Sequence, residues 1–157
     1  MHPFSKININ GTTFSKNRGN FYAGALYLAG NYTTVENASF NENSSELYGG
    51  AILVGNITDT MTINSTNFEG NYVGLNGGAI FNGDYGSIVF ATAVEGSKYY
   101  YTTFKSNLSA LYGGAVFNTG SIVFDSVTFN SNKTTSTISG GGGAIYNNNI
   151  LTIRELS

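Results

Sequence analysis

Few side chains in this sequence can do covalent or acid–base chemistry. Of 157 residues, nine are Asp or Glu, seven are Lys or Arg, one is His and none is Cys. Without Cys there are no thiolate nucleophiles, thiolate metal sites or disulfides. The carboxylates are Glu36, Glu42, Glu46, Asp59, Glu69, Asp84, Glu95, Asp125 and Glu155. A polysaccharide-cleaving site would need two of them converging as acid and base, or a cluster holding a cation beside a basic residue. They are dispersed, and nothing in their spacing points to a pair. His2 stands alone at the start and reads as a leader residue rather than a base or ligand. No Lys follows the glycine pairs, so there is no phosphate loop. No cofactor or metal is called for. A formal charge of -2 offers no electrostatic footprint for nucleic acid or an anionic membrane. The abundant groups are those of recognition: Asn amides, Ser and Thr hydroxyls, 11 Tyr and 11 Phe. They need a frame to act together.

That frame is a repeat. Phe-x-x-Asn occurs as Phe14/Asn17, Phe40/Asn43, Phe68/Asn71, Phe104/Asn107 and Phe129/Asn132, at Phe intervals of 26, 28, 36 and 25. Each is followed by Gly-Ala-Leu (Gly24 to Leu26) or by Gly-Gly-Ala-Ile/Val (Gly49 to Ile52, Gly77 to Ile80, Gly113 to Val116, Gly142 to Ile145). The Ala lies 11 residues after its Phe in four copies and 15 in the fifth. Further columns lie five residues before each Phe (Ile9, Val35, Ile63, Tyr99, Phe124) and seven after it (Phe21, Leu47, Leu75, Leu111). Short apolar stations separated by Gly, Asn, Ser and Thr give a strand-and-turn rhythm, with no stretch of helical period. A unit of about 25 residues with three short strands cannot bury its apolar side alone and must stack on its neighbours. The expected fold is all-β: one domain over 1–157, a single-stranded parallel β-helix of about five coils with essentially no helix.

Coils are expected near 7–30, 31–58, 59–95, 96–120 and 121–157. Stacking about 4.7 to 4.9 Å apart turns each column into a ladder of like residues. The Phe ladder, the Leu26/Ile52/Ile80/Val116/Ile145 ladder and the two further columns should point inward. Asn17, Asn43, Asn71, Asn107 and Asn132 should form a structural amide ladder in one turn. The glycines before each Ala supply positive φ or close approach between coils. Two insertions interrupt the rhythm, an excursion over 83–98 and four extra residues within 134–139. Loops on a rigid scaffold are places for specificity.

Alternation along the strand sends the residue after each inward Leu, Ile or Val outward, giving a stripe of Tyr27, Leu53, Phe81, Phe117 and Tyr146. Such a stripe is a contact face for protein or sugar, unless the loop after Ile80 or a flanking domain covers it. The column Thr13, Ser39, Asn67, Thr103, Thr128 is too mixed for a regular ice-binding hydroxyl array. Sequons occur at Asn10, Asn31, Asn37, Asn43, Asn56, Asn64, Asn107 and Asn132; the three that belong to the Asn ladder (Asn43, Asn107, Asn132) should be inaccessible.

Phe-x-x-Asn paired with Gly-Gly-Ala-Ile resembles the repeat of the polymorphic outer-membrane protein family of autotransporter-type adhesins. With Tyr-Asn after the Ile (Gly142 to Asn147) and Leu-Thr-Ile opening the next coil (Leu151 to Ile153), it is also similar to adhesin-like surface proteins of methanogenic archaea. The resemblance covers nearly the whole chain. It implies a right-handed β-helix passenger or stalk on a cell surface, used in adhesion. The first copy departs from it with Ala23 in place of a glycine, and no membrane barrel or other anchor is visible.

Residues 1–10 lack the apolar region of a signal peptide, and no apolar run approaches the ~18 residues of a spanning helix. The export signal is expected outside this chain, with no direct membrane insertion. The reading that follows is a non-enzymatic, extracellular adhesin-like or stalk domain, whose partners are a host or neighbouring-cell surface protein or glycan. Two alternatives stand beside it. A filament subunit stacking on copies of itself end to end is suggested by uncapped terminal coils. A polysaccharide-active β-helix enzyme would share the architecture.

Overall fold

The computed structural model describes residues 6–30, 32–55 and 59–154. His2, Glu155 and the sequons Asn31 and Asn56 lie outside them. Among the described residues there is no helix, and the chain winds into a parallel β-helix of about five coils. Each coil has four strands, one more than the apolar stations suggest.

The first face carries Ile7–Asn10, Thr33–Glu36, Met61–Asn64, Ser87–Ala91, Ser121–Asp125 and Ile150–Arg154. The second is built from Thr13–Ser15, Ser39–Asn41, Asn67–Glu69, Thr103–Lys105 and Thr128–Asn130. The third consists of two-residue strands, Arg18–Gly19 to Lys133–Thr134, too short to register as an apolar station. The fourth comprises Leu26–Leu28, Ile52–Val54, Ile80–Asn82, Val116–Asn118 and Ile145–Asn147.

All four faces pair in parallel, so like residues stack. Phe14, Phe40, Phe68, Phe104 and Phe129 are in register, with ring centroids 4.7 to 4.9 Å apart and planes within 5 to 7°. Phe40, Phe68 and Phe104 are fully buried, each worth about 1.5–3 kcal/mol of transfer free energy. Leu26, Ile52, Ile80, Val116 and Ile145 form the matching ladder on the fourth face. The two ladders close one core with Val35, Ile63, Phe90 and Phe124 of the first face.

Two columns depart from expectation. The fourth-coil partner of Ile63 and Phe124 is Phe90, not Tyr99. Interval counting picked Tyr99 because it keeps the five-residue distance to Phe104. The chain instead repeats Gly-Ser-Ile-Val-Phe at Gly86 to Phe90 and Gly120 to Phe124, and these strands pair residue for residue. The excursion therefore falls after Ala91, not over 83–98, and Ser87–Ala91 opens the fourth coil. It is an antiparallel hairpin of Ala93–Glu95 and Lys98–Tyr100. The column seven after Phe is not inward either: Phe21 is 60% exposed, and Leu47, Leu75 and Leu111 are half-buried outside the core. The inward positions there are Ser45, Val73 and Ser109, two residues earlier. The Ser45 and Ser109 hydroxyls donate to the carbonyls of Tyr48 and Tyr112, each at 3.0 Å, fastening the next turn. In the fifth copy, Ser136 still bonds Ala110 and Gly141 bridges Tyr112, so the extra residues bulge out between them, with Ile138 exposed.

Glycine is required at both positions of Gly-Gly-Ala where another coil follows, as at Gly77 and Gly78. At Gly78 an added Cβ would run into the Gly114 carbonyl of the next coil. Gly77 has φ +76°, and Ala23, its counterpart in the first coil, keeps a positive φ of 41°.

The Asn turn is held by a continuous amide ladder. The Asn71 side-chain amide donates to the Phe40 carbonyl and to Asn107 Oδ1, both at 2.9 Å. Asn71 Oδ1 accepts from the backbone N–H and the side-chain amide of Asn43, both at 3.0 Å. Asn17, Asn107 and Asn132 continue the same links. Replacing Asn71 by Ala removes four buried hydrogen bonds, each worth about 0.5–1.5 kcal/mol, although Asn107 Oδ1 keeps the backbone N–H of residue 71 and the Asn43 amide keeps the Phe14 carbonyl. Asn71→Ala should lose about 3–5 kcal/mol in urea unfolding, and Asn17→Ala, on an exposed rung, about 1. A loss below about 1 kcal/mol for Asn71→Ala would contradict this account of the ladder.

Candidate contact surface on the fourth face

Tyr27, Leu53, Phe81, Phe117 and Tyr146 stand one above another in register on the fourth face. Phe81, Phe117 and Tyr146 stack at centroid distances of 5.0 Å with planes within 12°. Exposure along the stripe is uneven. Tyr27 is 60% exposed and Phe81, Phe117 and Tyr146 are half-buried, but Leu53 is only 7% exposed. Leu53 is shorter than the Tyr27 and Phe81 rings beside it and lies sheltered between them, so it offers little contact area.

A second aromatic column stands beside the first. Tyr22, Tyr48, Asn76, Tyr112 and Gly141 are joined by parallel bridges from coil to coil. Tyr22 stacks on Tyr48 at 5.9 Å, Tyr48 leans on Phe81 at 4.7 Å, and Tyr112 leans on Tyr146 at 4.7 Å. The stripe is thus one half of an aromatic band two columns wide. Sequence reasoning missed the Tyr column, although Tyr precedes Gly-Gly at Tyr48 and Tyr112. The hairpin after Ala91 is rooted between the first and second faces, so it does not act as a lid on the band.

A second amide ladder underlies the band. Asn82 donates to Asn118 Oδ1 and Asn118 to Asn147 Oδ1, both at 2.6 Å, and Asn82 and Asn118 are fully buried. Its signal was an Asn directly after each outward ring, in Phe81-Asn82, Phe117-Asn118 and Tyr146-Asn147. The ladder anchors the strand end immediately after the rings, and so fixes where they project.

Four of the nine carboxylates bond between coils. Glu42 pairs with Lys16 at 3.7 Å, Glu46 with Arg18 at 3.5 Å and Glu69 with Lys105 at 2.8 Å, all well exposed. Glu36 accepts from the Asn64 amide at 2.9 Å. Among the described residues no three His, Asp or Glu gather to hold a metal ion. Of the sequons, Asn43 and Asn107 are buried, Asn10 and Asn37 are exposed, and Asn64 is half-buried. Asn132 is half-buried rather than sealed, because it sits on the last rung of its ladder.

The pairing of Phe-x-x-Asn with Gly-Gly-Ala-Ile decides what the chain is similar to. Residues 37–55 and 126–148 match the Chlamydia polymorphic membrane protein repeat. Each stretch contains one Phe, its ladder Asn and the Gly-Gly-Ala-Ile that follows, so the match falls on the residues that build the coil. It supports a polymorphic membrane protein-like repeat. Comparison with curated proteins and with solved structures yields no match.

If the band packs as one unit, neighbouring rings are energetically coupled. A double-mutant cycle of Phe81→Leu and Phe117→Leu should return about 0.5–1.5 kcal/mol of coupling in thermal or urea unfolding. Additive losses would mean that the rings are merely adjacent.

Proposed function

We propose that this chain is a surface-exposed, adhesin-like β-helix domain that works by contact rather than catalysis. The observation that carries the reading is the aromatic band: two adjacent columns with rings at seven of their ten positions and at least one partly exposed ring in every coil. At the strand spacing of a sheet the band runs about 20 Å along the axis. Contiguous exposed apolar surface of that kind marks a contact site for protein or sugar, and aromatic rings suit both. The likeness to a polymorphic membrane protein repeat supports a place on a cell surface. The pairing of Glu42, Glu46 and Glu69 with cations argues for a structural use of those acids.

Beads coated with the purified chain should adhere to cultured host or neighbouring cells. Beads carrying the Phe81→Ser/Phe117→Ser variant, shown to be folded by circular dichroism, should adhere at least about fivefold less, the equivalent of roughly 1 kcal/mol. Equal adhesion of the two coatings, or none with wild type, would overturn the assignment of the band.

A further inference from the structure

The hairpin after Ala91 does more than lengthen a turn. Left-handed residues occupy this turn in the other coils: Gly11 (φ 62°), Asn37 (49°), Ser65 (47°) and Ser126 (51°). In the fourth coil the hairpin stands in their place and overhangs the turns below, leaving a cleft of about 440 Å³. One wall is Tyr99, Tyr100 and Tyr101. Tyr99 and Tyr101 lie with ring centroids 6.3 Å apart and planes within 11°, and both remain about half exposed. They form a nearly parallel pair, and among the described residues no other aromatic ring stacks on it.

The opposite wall comes from three successive coils and is polar and neutral. The Asn37 amide donates to Asn10 Oδ1 at 3.2 Å, which leaves the Asn37 carbonyl oxygen as an acceptor. The Thr103 hydroxyl donates to Asn67 Oδ1 at 2.7 Å, which leaves the Asn67 amide as a donor. The Ser65 hydroxyl beneath this wall is sealed from solvent and is not presented to the cleft. Among the described residues lining the cleft there is no carboxylate, Lys or Arg. Coil stacking spaces these groups about 4.8 Å apart, roughly one sugar ring.

An aromatic platform facing neutral donors and acceptors matches an amphipathic ligand with an apolar C–H face and a rim of hydroxyls. A phosphate or uronate would find no cation here to offset its desolvation. We propose that this cleft binds a neutral oligosaccharide, through stacking on Tyr99 and Tyr101 and hydrogen bonds to Asn37 and Asn67. The site is separate from the aromatic band, on a different side of the β-helix, and its occupation does not depend on what the band contacts.

Isothermal titration with cello-, manno-, xylo- and chito-hexaose, and with polygalacturonate as the anionic probe, tests it. At least one neutral hexaose should bind. Tyr99→Ala and Tyr101→Ala should each weaken that binding by about tenfold or more, Tyr99→Phe should retain it, and Phe81→Ser/Phe117→Ser should leave it unchanged. The hairpin lies outside the core, so both Ala variants should melt within a few degrees of wild type. Failure of all four neutral sugars, binding of polygalacturonate alone, undiminished binding by the Ala variants, or loss in the Phe81/Phe117 variant would each overturn the site. The last result would assign the sugar to the band.

Discussion

Every coil of this molecule is hydrogen-bonded to the next in parallel and in register, and that constraint reaches every side chain. Whatever stands at one position of a coil stands within a few ångströms of its counterpart above and below. For Phe the repetition is favourable, because rings stack face to face within the core. For Asn it is favourable because an amide carries both a donor and an acceptor, so identical residues satisfy one another indefinitely. For a charge it is unfavourable, since the same residue on the next rung repels it. The low charged content, 10% of residues, follows from this constraint. Where charges do occur they alternate in sign between coils, as Lys16 over Glu42 and Glu69 over Lys105.

The Asn ladder also accounts for a costly piece of backbone. The residue just before each ladder Asn is left-handed: Lys16, Glu42, Gly70, Ser106 and Ser131 have φ between 53° and 64°. For a residue with a Cβ that conformation costs about 1–2 kcal/mol. It persists because the amide that follows bonds the turn on both sides, to the preceding coil's Phe carbonyl and to the next Asn. Turn strain and amide ladder are therefore one device, and the sharp corner it makes turns the second face into the third.

The sequence displayed what repeats in type and hid what repeats only in position. Phe14 to Phe129, Asn17 to Asn132 and the glycine pairs keep their identity from coil to coil, so their columns and pairing could be read from spacing alone. The third face could not, because two-residue strands alternating Gly19, Ser45, Val73 and Ser109 have no shared chemistry to count. Tyr99 took the place of Phe90 because counting backward from Phe104 assumes no insertion between the two, and the hairpin lies there. Leu47, Leu75 and Leu111 misled for a different reason: the inward positions of the third face lie two residues earlier, so these leucines stay half-buried outside the core. Of the band itself, the stripe was legible from alternation, whereas Tyr22 and Tyr48 belong to a bridge column with no strand around it.

A solenoid separates stability from display more completely than a globular domain does. The core ladders and amide ladders fix every coil, so a substitution or insertion at an outward position is resisted only by its own local contacts. Ten residues, 92–101, stand in the fourth coil where Ser65 and Ser126 stand singly in the coils on either side, yet Thr66, Thr102 and Val127 still line up beneath them. The left-handed residue of the hairpin is Gly96, which has no Cβ to strain. Substitutions can therefore change the tyrosines of the hairpin or the rings of the fourth face without disturbing the register on which the fold depends. The rings of the fourth face are held by stacking on one another and not by the core, so the register does not depend on any one of them.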